Sequence, residues 1–176
     1  YMLQKDQLLP WRTIRRNAQL GLELQNKLTP DNIAFVDYML EQYGLGEFKD
    51  RFPAELSGGM RQRAALIRTL AVKPDVLLLD EPFSALDYQT RLSVADEIGT
   101  IIRKEGKTAL LVSHDISEAI SLSDRVIVLS GRPARLKKIH KIELSVADRT
   151  PMKAREAPEF RAYFNTIWKE LDIHVA

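Results

Sequence analysis

The strongest constraint on the fold is a run of four apolar residues, Val76 to Leu79, that stops abruptly at Asp80 and Glu81. A short, continuous run of this kind is typical of a parallel strand buried on both faces. Further strands are predicted at 108–112 and 125–129, and helical patterns lie between the strands at 88–105 and 116–122. This alternation predicts an α/β fold with a parallel sheet whose ligand lies at the carboxyl ends of the strands.

Residues 11–72 differ from this pattern because they are helical throughout. Helical spacing covers 13–28 and resumes after Pro30, with Gly44 as a stop, and a third helix is predicted from about Met60 to Val72. We expect one partial domain over 1–176. Along the chain its parts are a helical subdomain at about 11–72, an α/β core at about 73–144 with a strand near 136–142, a polar connection at 145–158 and a C-terminal helix at about 157–172.

Composition argues against several classes of function. Lys and Arg number 26 against 24 Asp and Glu, so the net charge of +2 gives no reason to expect a nucleic acid partner. The chain has no cysteine, which rules out disulfides and thiolate metal sites. Its apolar runs fall well short of the roughly 20 residues that a membrane helix needs, and no export signal is evident. We therefore expect any contact with a membrane to come through a partner.

Asp80 and Glu81 are the first candidate site residues. Two carboxylates at the end of a buried strand are held rigidly at the edge where such a sheet binds its ligand. One can orient Mg²⁺ and its waters, and the other can polarise water for attack on a γ-phosphate. The alternative is a strand that simply ends in an acidic turn.

Ser57, Gly58 and Gly59 precede a predicted helix, where bare backbone and free N–H groups suit an anion. The alternative is an ordinary N-cap with a flexible turn. Further candidates, each weak on its own, stand at strand ends or helix starts: Gln4, Asp87 and His114. The alternatives are that Asp87 is only a helix N-cap and that His114 is structural.

Taken together, these motifs resemble the ATP-binding-cassette (ABC) ATPases. The segment Leu56 to Arg63 is similar to the signature motif of that family, and Val76 to Pro82 is similar to its Walker B strand with the catalytic glutamate. Ser84 to Asp87 resembles the D-loop, while His114 and Gln4 match the switch histidine and the Q-loop glutamine. The resemblance covers essentially the whole chain and implies a truncated P-loop NTPase core with a helical subdomain.

The resemblance implies roles around ATP and Mg²⁺. Glu81 would be the catalytic residue that polarises the attacking water, and His114 would contact the γ-phosphate. Asp80 would hold Mg²⁺ through water. Gln4 would contact Mg²⁺ and a loop that faces the permease.

The resemblance also implies a dimer. Ser57, Gly58 and Gly59 would cap the γ-phosphate of the ATP bound to the opposite subunit, and Asp87 would lie at the same interface. The working unit would be a head-to-tail homodimer of ATPase subunits with two ATP molecules between them.

The chain departs from the family in one respect. No segment of its 176 residues has the phosphate-binding pattern G-x-x-x-x-G-K-[ST]. Tyr1 is not a start methionine, and residues 1–4 are typical of the end of a strand, so we expect a piece of a longer protein. These residues alone should neither bind ATP tightly nor hydrolyse it. We also expect an open sheet edge and an exposed apolar face where strands are missing.

Residues 8–11, with the sequence Leu-Leu-Pro-Trp, resemble the ABC importers of nitrate, sulfonate and taurine, as do residues 131–133 and the terminal helix. This branch implies integral-membrane permease subunits, an extracytoplasmic solute-binding protein that acts through them, and a peripheral location on the cytoplasmic face of the cell membrane. Leu9 and Trp11 are then candidate permease contacts, with Trp11 as the anchor. The alternative is that both pack the helical subdomain. The sequence does not identify the solute.

Two other functions stay open from sequence. A non-transport ABC protein acting on DNA or ribosomes would show tandem cassettes or long coiled-coil insertions, and the chain has neither. A catalytically dead remnant would serve only as an interaction module. The basic stretch 132–141 is interpreted as a half-exposed strand rather than a phospholipid or nucleic acid surface, with His140 as an exposed strand residue, and His174 is placed in a polar tail.

Overall fold

A computed structural model of the chain describes residues 1–147 and 149–171. Its contacts divide the chain into two compact units, residues 1–112 and 113–176. His174 and the predicted helix end at Asp172 lie outside the described residues. No helix of the described part combines the length and the apolar character needed to cross a membrane.

The first unit contains the helices predicted for residues 11–72 and a further helix at 88–104. Side-chain oxygens of Thr13, Thr29, Ser57 and Asp87 cap four of these helices by accepting a hydrogen bond from the backbone N–H three residues on. The helices are α1 (Ile14–Ala18), α2 (Leu20–Leu24), α3 (Pro30–Gln42), α4 (Gly58–Ala71) and α5 (Tyr88–Lys104), with short 3-10 turns at Gly46–Phe48 and Pro53–Glu55.

Two helix boundaries differ from the sequence prediction. The helical pattern at 13–28 is interrupted at Gln19, so it forms two short helices instead of one. Helix α4 begins at Gly58 rather than Met60 because Ser57 caps it there. Both glycines of the Ser-Gly-Gly sequence therefore belong to the helix.

The parallel sheet is confirmed in the first unit. Strand β1 (Val76–Asp80) pairs in parallel with β2 (Thr108–Val112). On the other edge of β1, the backbone N–H of Met2 donates to Leu78 at 2.8 Å and the carbonyl of Met2 accepts from Asp80 at 3.0 Å. Residues 1–4 therefore run beside β1, as expected for the end of a strand.

The two strands are not buried on both faces. Leu77 and Leu79 are buried, whereas Val76 is 52% exposed and Val112 is 54% exposed. The expectation of fully buried strands is wrong because, within the described residues, one face of the pair remains accessible. The expected exposed apolar face is present, with Leu78 and Leu110 also contributing to it.

The core of the first unit is built around α4, which packs against α1, α3 and α5. Helix α4 is buried on more than one side, since the consecutive residues Ala65, Leu66 and Ile67 are all buried. This central position explains the sequence of α4, because small residues such as Ala64 and Ala65 let neighbouring helices approach closely.

The second unit contains α6 (Ile116–Leu122), β3 (Arg125–Leu129), β4 (Leu136–Lys141), α7 (Pro151–Glu156) and α8 (Phe160–Glu170). Strand β3 pairs antiparallel with β4, not as a third strand of the parallel sheet that the alternation favoured. The core of this unit is formed by the buried residues Ile116, Ile120, Val126, Val128, Ile142 and Ile167.

Two details of the second unit correct the sequence analysis. Part of the predicted polar connection forms α7, which Thr150 caps and Pro151 opens. His140 is not an exposed strand residue, because its Nε2 lies 2.6 Å from Oε2 of Glu170 and its side chain is only 10% exposed.

Candidate functional site

The end of β1 is held in a sharp turn at Glu81. The N–H of Glu81 donates to the carbonyl of Val112 at 2.9 Å, and its own carbonyl accepts from the N–H and the hydroxyl of Ser84 at 3.2 and 3.0 Å. The backbone of Glu81 has a φ of +44°, in the left-handed region, where a residue with a side chain pays roughly 1 to 2 kcal/mol. The three hydrogen bonds therefore fix Glu81 in a strained conformation at the carboxyl end of the strand.

Gln4 reaches this turn because residues 1–4 run beside β1. Its side-chain nitrogen donates to Oε2 of Glu81 at 3.2 Å and to Oγ of Ser84 at 3.1 Å. The hydroxyl of Tyr1 donates to Oδ2 of Asp80 at 2.7 Å, and this hydrogen bond raises the pKa of Tyr1 above its usual value. The structure thus brings together Gln4, Asp80 and Glu81, which the sequence had singled out, and adds Tyr1 and Ser84.

The oxygen atoms at this strand end suit Mg²⁺. Carboxylates such as those of Asp80 and Glu81 and side-chain amides such as that of Gln4 are ligands of the type that hard cations prefer. Among residues 1–147 and 149–171, no three or more His, Cys, Asp and Glu side chains cluster into a metal site of their own. The oxygen donors of Gln4, Asp80 and Glu81 fit Mg²⁺ held by one or two side chains together with water and phosphate oxygens, which is the usual arrangement for this ion.

Ser57 is the N-cap of α4. Its Oγ accepts a hydrogen bond from the N–H of Met60 at 3.3 Å, and its backbone is extended as a capping residue requires. The structure confirms the capping interpretation of Ser57. Contact with a phosphate stays a prediction, and the exposure of the residue is compatible with it.

Gly58 and Gly59 lie in the first turn of α4, so the flexible turn considered from sequence is wrong. A Cβ on the buried Gly59 would lie 2.6 Å from Cγ2 of Val94 on α5, and one on Gly58 would lie 3.0 Å from Cδ2 of Leu86. Gly59 is therefore needed for the close approach of α4 and α5, whatever else it does. Gly58 is only half-buried and is less constrained.

Asp87 is the N-cap of α5, as the sequence indicated. Its Oδ1 accepts from the N–H of Thr90 at 3.1 Å. Hydrogen bonds from Thr90 hold the pKa of Asp87 below its usual value, so the carboxylate is ionised at neutral pH at the helix N-terminus, where a negative charge is favourable.

His114 belongs to the second unit and is exposed. Both neighbours in sequence are fixed. The hydroxyl of Ser113 donates to the buried carboxylate of Glu118 at 2.7 Å, and Oδ1 of Asp115 accepts from the N–H of Ser117 at 2.7 Å to cap α6. His114 is thus carried on an ordered backbone at the start of α6.

A further ordered segment, at residues 9–13, depends on Asn17, which sequence analysis did not single out. Asn17 is fully buried, and its amide nitrogen donates to the carbonyls of Leu9, Arg12 and Thr13 at 3.0–3.1 Å. Its Oδ1 accepts from the N–H of Leu9 at 2.7 Å. Trp11 is 71% exposed on this segment, so the alternative that both side chains pack the helical subdomain is wrong for Trp11, whereas Leu9 is half-buried.

Sequence comparisons agree with this geometry. The sequence model of the ABC transporter family matches residues 1–84, which include Gln4, the Ser-Gly-Gly sequence and Glu81. The chain is 48% identical over 172 residues to YtlC of Bacillus subtilis, an uncharacterized ABC transporter ATP-binding protein, covering 98% of this chain and 66% of the relative.

Two of the similar proteins are named for import. The nitrate import ATP-binding protein NrtD of Synechocystis is 39% identical over 170 residues, with 94% of this chain and 64% of the relative covered. The taurine import ATP-binding protein TauB of Jannaschia is 40% identical over 141 residues, with 80% and 53% covered. The chain thus spans at most 66% of the length of these relatives.

One solved structure gives the fold independently. A dimeric post-hydrolysis structure of the ATP-binding cassette MJ0796, bound to ADP and Pi, aligns with a TM-score of 0.62 and 28% identity over 80% of this chain and 61% of that one. Motif geometry, sequence and fold agree, and they confirm the predicted α/β ATPase fold and the resemblance on which it rested. The chain belongs to the ABC transporter family of ATP-binding proteins.

Proposed function

We propose that this chain supplies the Q-loop, signature, Walker B and switch segments of an ATP-hydrolysing subunit of an ABC importer for a small solute. The observation that carries the proposal is the contact between Gln4 and Glu81 at the end of β1, at 3.2 Å. An amide donor there orients a carboxylate that the strained turn already holds in place. Such preorganisation is what phosphoryl transfer to water requires of a protein.

In this proposal Glu81 polarises the water that attacks the γ-phosphate of ATP. Gln4 keeps the Glu81 carboxylate aimed by donating to Oε2, and Ser84 receives the second N–H of the same amide. Asp80 and Gln4 would hold Mg²⁺, which neutralises charge on the phosphate oxygens when it is bound. His114, on the ordered start of α6, would contact the γ-phosphate.

The second ATP-binding surface would be the start of α4, where Ser57 is exposed. Ser57 and the N–H groups of the first turn of α4 would cap the γ-phosphate of ATP bound to a second copy, with Asp87 at the same interface. The structure of MJ0796 with ADP and Pi is dimeric, which supports a homodimer with two nucleotide sites.

Import is supported by the names of the relatives and by the surface of the first unit. NrtD is named for nitrate import and TauB for taurine import. Trp11 offers a large exposed aromatic side chain on a loop that Asn17 orders, which suits an anchor for a permease subunit. The subunit would then lie on the cytoplasmic face of the membrane, and a solute-binding protein would act through the permease.

The 176 residues alone are proposed to be inactive. They contain no G-x-x-x-x-G-K-[ST] sequence, and the backbone amides and lysine of that loop form the main cradle for the triphosphate in P-loop enzymes. Glu81 would be correctly placed in these residues but would have no bound substrate to act on.

The test compares Mg-ATP hydrolysis by the 176-residue chain with hydrolysis by the longer protein that we expect it to be part of, called the full-length protein below. Each is measured beside its Glu81→Gln variant. We expect hydrolysis by the full-length protein, loss of it in Glu81→Gln, and none from the 176-residue chain. Glu47→Gln, at an exposed glutamate in a 3-10 turn, is the matched control and should hydrolyse at the wild-type rate.

Two outcomes contradict parts of this proposal. A full-length protein without Glu81-dependent hydrolysis would favour an interaction module without catalysis. Hydrolysis by the 176-residue chain that Glu81→Gln abolishes would show that another segment cradles the triphosphate.

A further inference from the structure

Three side chains of α4 hold the loop that carries Gln4. Arg61, Gln62 and Arg68, which we call the α4 latch, all hydrogen-bond to residues between Gln4 and Gln7. None of the three is among the residues to which the ATPase roles were assigned. All of these contacts lie within the first unit.

Arg61 joins two segments of the proposed ATP site. Its Nε donates to Oδ2 of Asp6 at 3.0 Å, and one of its terminal nitrogens donates to the carbonyl of Leu56 at 2.7 Å. Oδ1 of Asp6 accepts from the N–H of Leu8 at 3.0 Å, so the carboxylate also shapes its own loop. One guanidinium therefore connects the loop of Gln4 to the residue that precedes Ser57.

Arg68 holds the same loop about two turns further along α4 than Arg61. Its two terminal nitrogens donate to the backbone carbonyls of Asp6 and Gln7, each at 2.7 Å. Gln7 has a φ of +49°, in the left-handed region that is unfavourable for a residue with a side chain. A strained loop of this kind keeps its shape only where surrounding contacts determine it, and Arg68 supplies two of them.

Gln62 is the most buried member of the latch, with 3% exposure. Its Nε2 lies 3.5 Å from the carbonyl of Gln4, while its buried Oε1 has no hydrogen-bond partner. Buried polar atoms without a partner are rare. Gln62 also lines a cleft of about 400 Å³ together with residues 5–8, Gly58 and Arg61. Polar contacts therefore join the loop to α4 beside this cleft.

We propose that the α4 latch positions Gln4 against Glu81, and that Arg61 makes the loop of Gln4 and the turn at Ser57 move together. The inference rests on the proposed function and deepens it. Arg61 is a positioning residue, since its hydrogen bonds go to Asp6 and Leu56 and not to Glu81 or the proposed phosphate contacts. It acts through the backbone of residues 4–7.

The first test is hydrogen–deuterium exchange of the full-length protein and its Arg61→Met variant. We expect faster exchange in residues 4–8 and at the amide of Met60, because both segments lose their connection to the guanidinium. Arg51→Met removes an exposed arginine paired with Glu55 and is the matched control, which should leave these amides unchanged. Unchanged exchange in Arg61→Met would overturn the latch, whether or not the protein hydrolyses ATP.

The second test is a double-mutant cycle on ATP hydrolysis with Arg61→Met and Gln4→Leu. Arg61→Met alone should lower kcat about tenfold with little change in KM, as expected for loss of a charge-assisted hydrogen bond that orients a catalytic group. In the Gln4→Leu background the same change should lower kcat less than about twofold, because the latch acts through Gln4. Arg61→Lys should restore part of the lost kcat.

Equal losses in both backgrounds would overturn the proposal, since Arg61 would then act independently of Gln4. Absence of Glu81-dependent hydrolysis in the wild-type protein would contradict the proposed function instead. Hydrogen exchange would still decide whether the latch holds the loop.

Discussion

The side-chain nitrogen of Gln4 lies 3.2 Å from Oε2 of Glu81, although 77 residues separate the two in sequence. The contact exists because residues 1–4 pair with β1 on the edge opposite β2. It gives the carboxylate a fixed direction at the point where the strand turns. The first prediction concerns this pair.

Gln4→Leu keeps the size of the side chain but removes the donors to Glu81 and Ser84. We expect kcat for ATP hydrolysis by the full-length protein to fall about tenfold, since a catalytic carboxylate loses its orienting hydrogen bond. Because Gln4 is exposed, the free energy of unfolding should change by no more than about 0.5 kcal/mol. Steady-state kinetics and urea unfolding measure the two effects.

Gln42→Leu, at an exposed position at the end of α3, serves as the control for the Gln4 substitution and should leave kcat unchanged. A Gln4→Leu protein with wild-type kcat would mean that the contact with Glu81 has no catalytic role.

The second prediction separates the two roles considered for Ser57. Ser57→Ala should lower the free energy of unfolding by about 1 kcal/mol because α4 loses its cap, whereas Ser57→Asp should retain stability because aspartate caps as well as serine. If Ser57 also faces a γ-phosphate, the two variants should rank differently in their rates of ATP hydrolysis than in their stabilities. Aspartate adds a negative charge beside the phosphate and should inhibit more than alanine does.

Thr29, the N-cap of α3, provides the control for Ser57. Thr29→Ala and Thr29→Asp should show the same order of stability, with no effect on hydrolysis. If the rates of hydrolysis follow the stabilities of the variants at both Ser57 and Thr29, Ser57 acts as a cap alone.

The third prediction is that the two glycines of α4 differ in their tolerance of alanine. Gly59→Ala places a Cβ 2.6 Å from Cγ2 of Val94 and should destabilise the protein by about 1 to 3 kcal/mol through overpacking. Gly58→Ala makes a milder contact, at 3.0 Å to a leucine methyl group, and should cost less. Chemical denaturation of the two variants measures the difference.

A second substitution tests the cause of the Gly59 effect. Val94→Ala removes the methyl group that the new Cβ meets, so the double variant should be more stable than the sum of the single changes implies. Simple additivity would show that the loss comes from something other than contact between α4 and α5.

The fourth prediction concerns alkaline pH. The hydroxyl of Tyr43 donates to Oε1 of Glu105 at 2.6 Å, and burial together with this hydrogen bond raises the pKa of Tyr43 above its usual value of 10.0. Above pH 10 the unfolded state loses this proton while the folded state keeps it. The stabilisation is therefore complete below pH 10 and is lost as the pH rises toward the folded-state pKa.

Urea unfolding between pH 8 and 11 on the wild type and Tyr43→Phe measures this effect. At pH 8 the variant should be less stable by about 1 kcal/mol, the usual contribution of such a hydrogen bond. The wild type should lose stability more steeply than Tyr43→Phe above pH 10. Tyr88→Phe, at an exposed tyrosine on α5, should follow the wild type, and parallel curves for wild type and Tyr43→Phe would contradict the prediction.

Elements with strong local signals could be predicted from the sequence. The bounds of α6 and β3 agree with prediction, since Asp115 caps α6 through the N–H groups of Ser117 and Glu118 and a short apolar run forms β3. Gly44 ends α3 as expected, with a φ of +72°. In each case the information lies within a few residues of the boundary.

Features that depend on distant residues could not be predicted in the same way. Nothing within β3 specifies pairing with β4 rather than with the parallel sheet. The exposure of Val76 and Val112 depends on which segments cover the sheet, not on the apolar character of the strands. Helix α7 was missed although Thr150 and Pro151 are a start signal, because only six residues follow the cap.

The residues of the candidate site also divide into those with a local sequence signal and those whose contacts depend on distant residues. Asp80 and Glu81 stand out by position at the end of a strand, and family resemblance singled out Gln4, but neither signal indicated that Gln4 contacts Glu81. The side chains of Tyr1 and Ser84 contribute hydroxyl groups, and an isolated hydroxyl carries no spacing pattern that would indicate its partner. The resemblance did place Ser84 in the D-loop segment, which is the one signal available for it.

Asn17 determines how the surface around Trp11 meets other molecules. Its buried side chain donates three hydrogen bonds and accepts one, and these order the backbone between Leu9 and Thr13 before anything is bound there. A partner that covers Trp11 therefore encounters a loop whose conformational freedom was already lost during folding. Association at this surface avoids most of the ordering entropy that a flexible loop would lose on binding, so even a small contact area can give useful affinity.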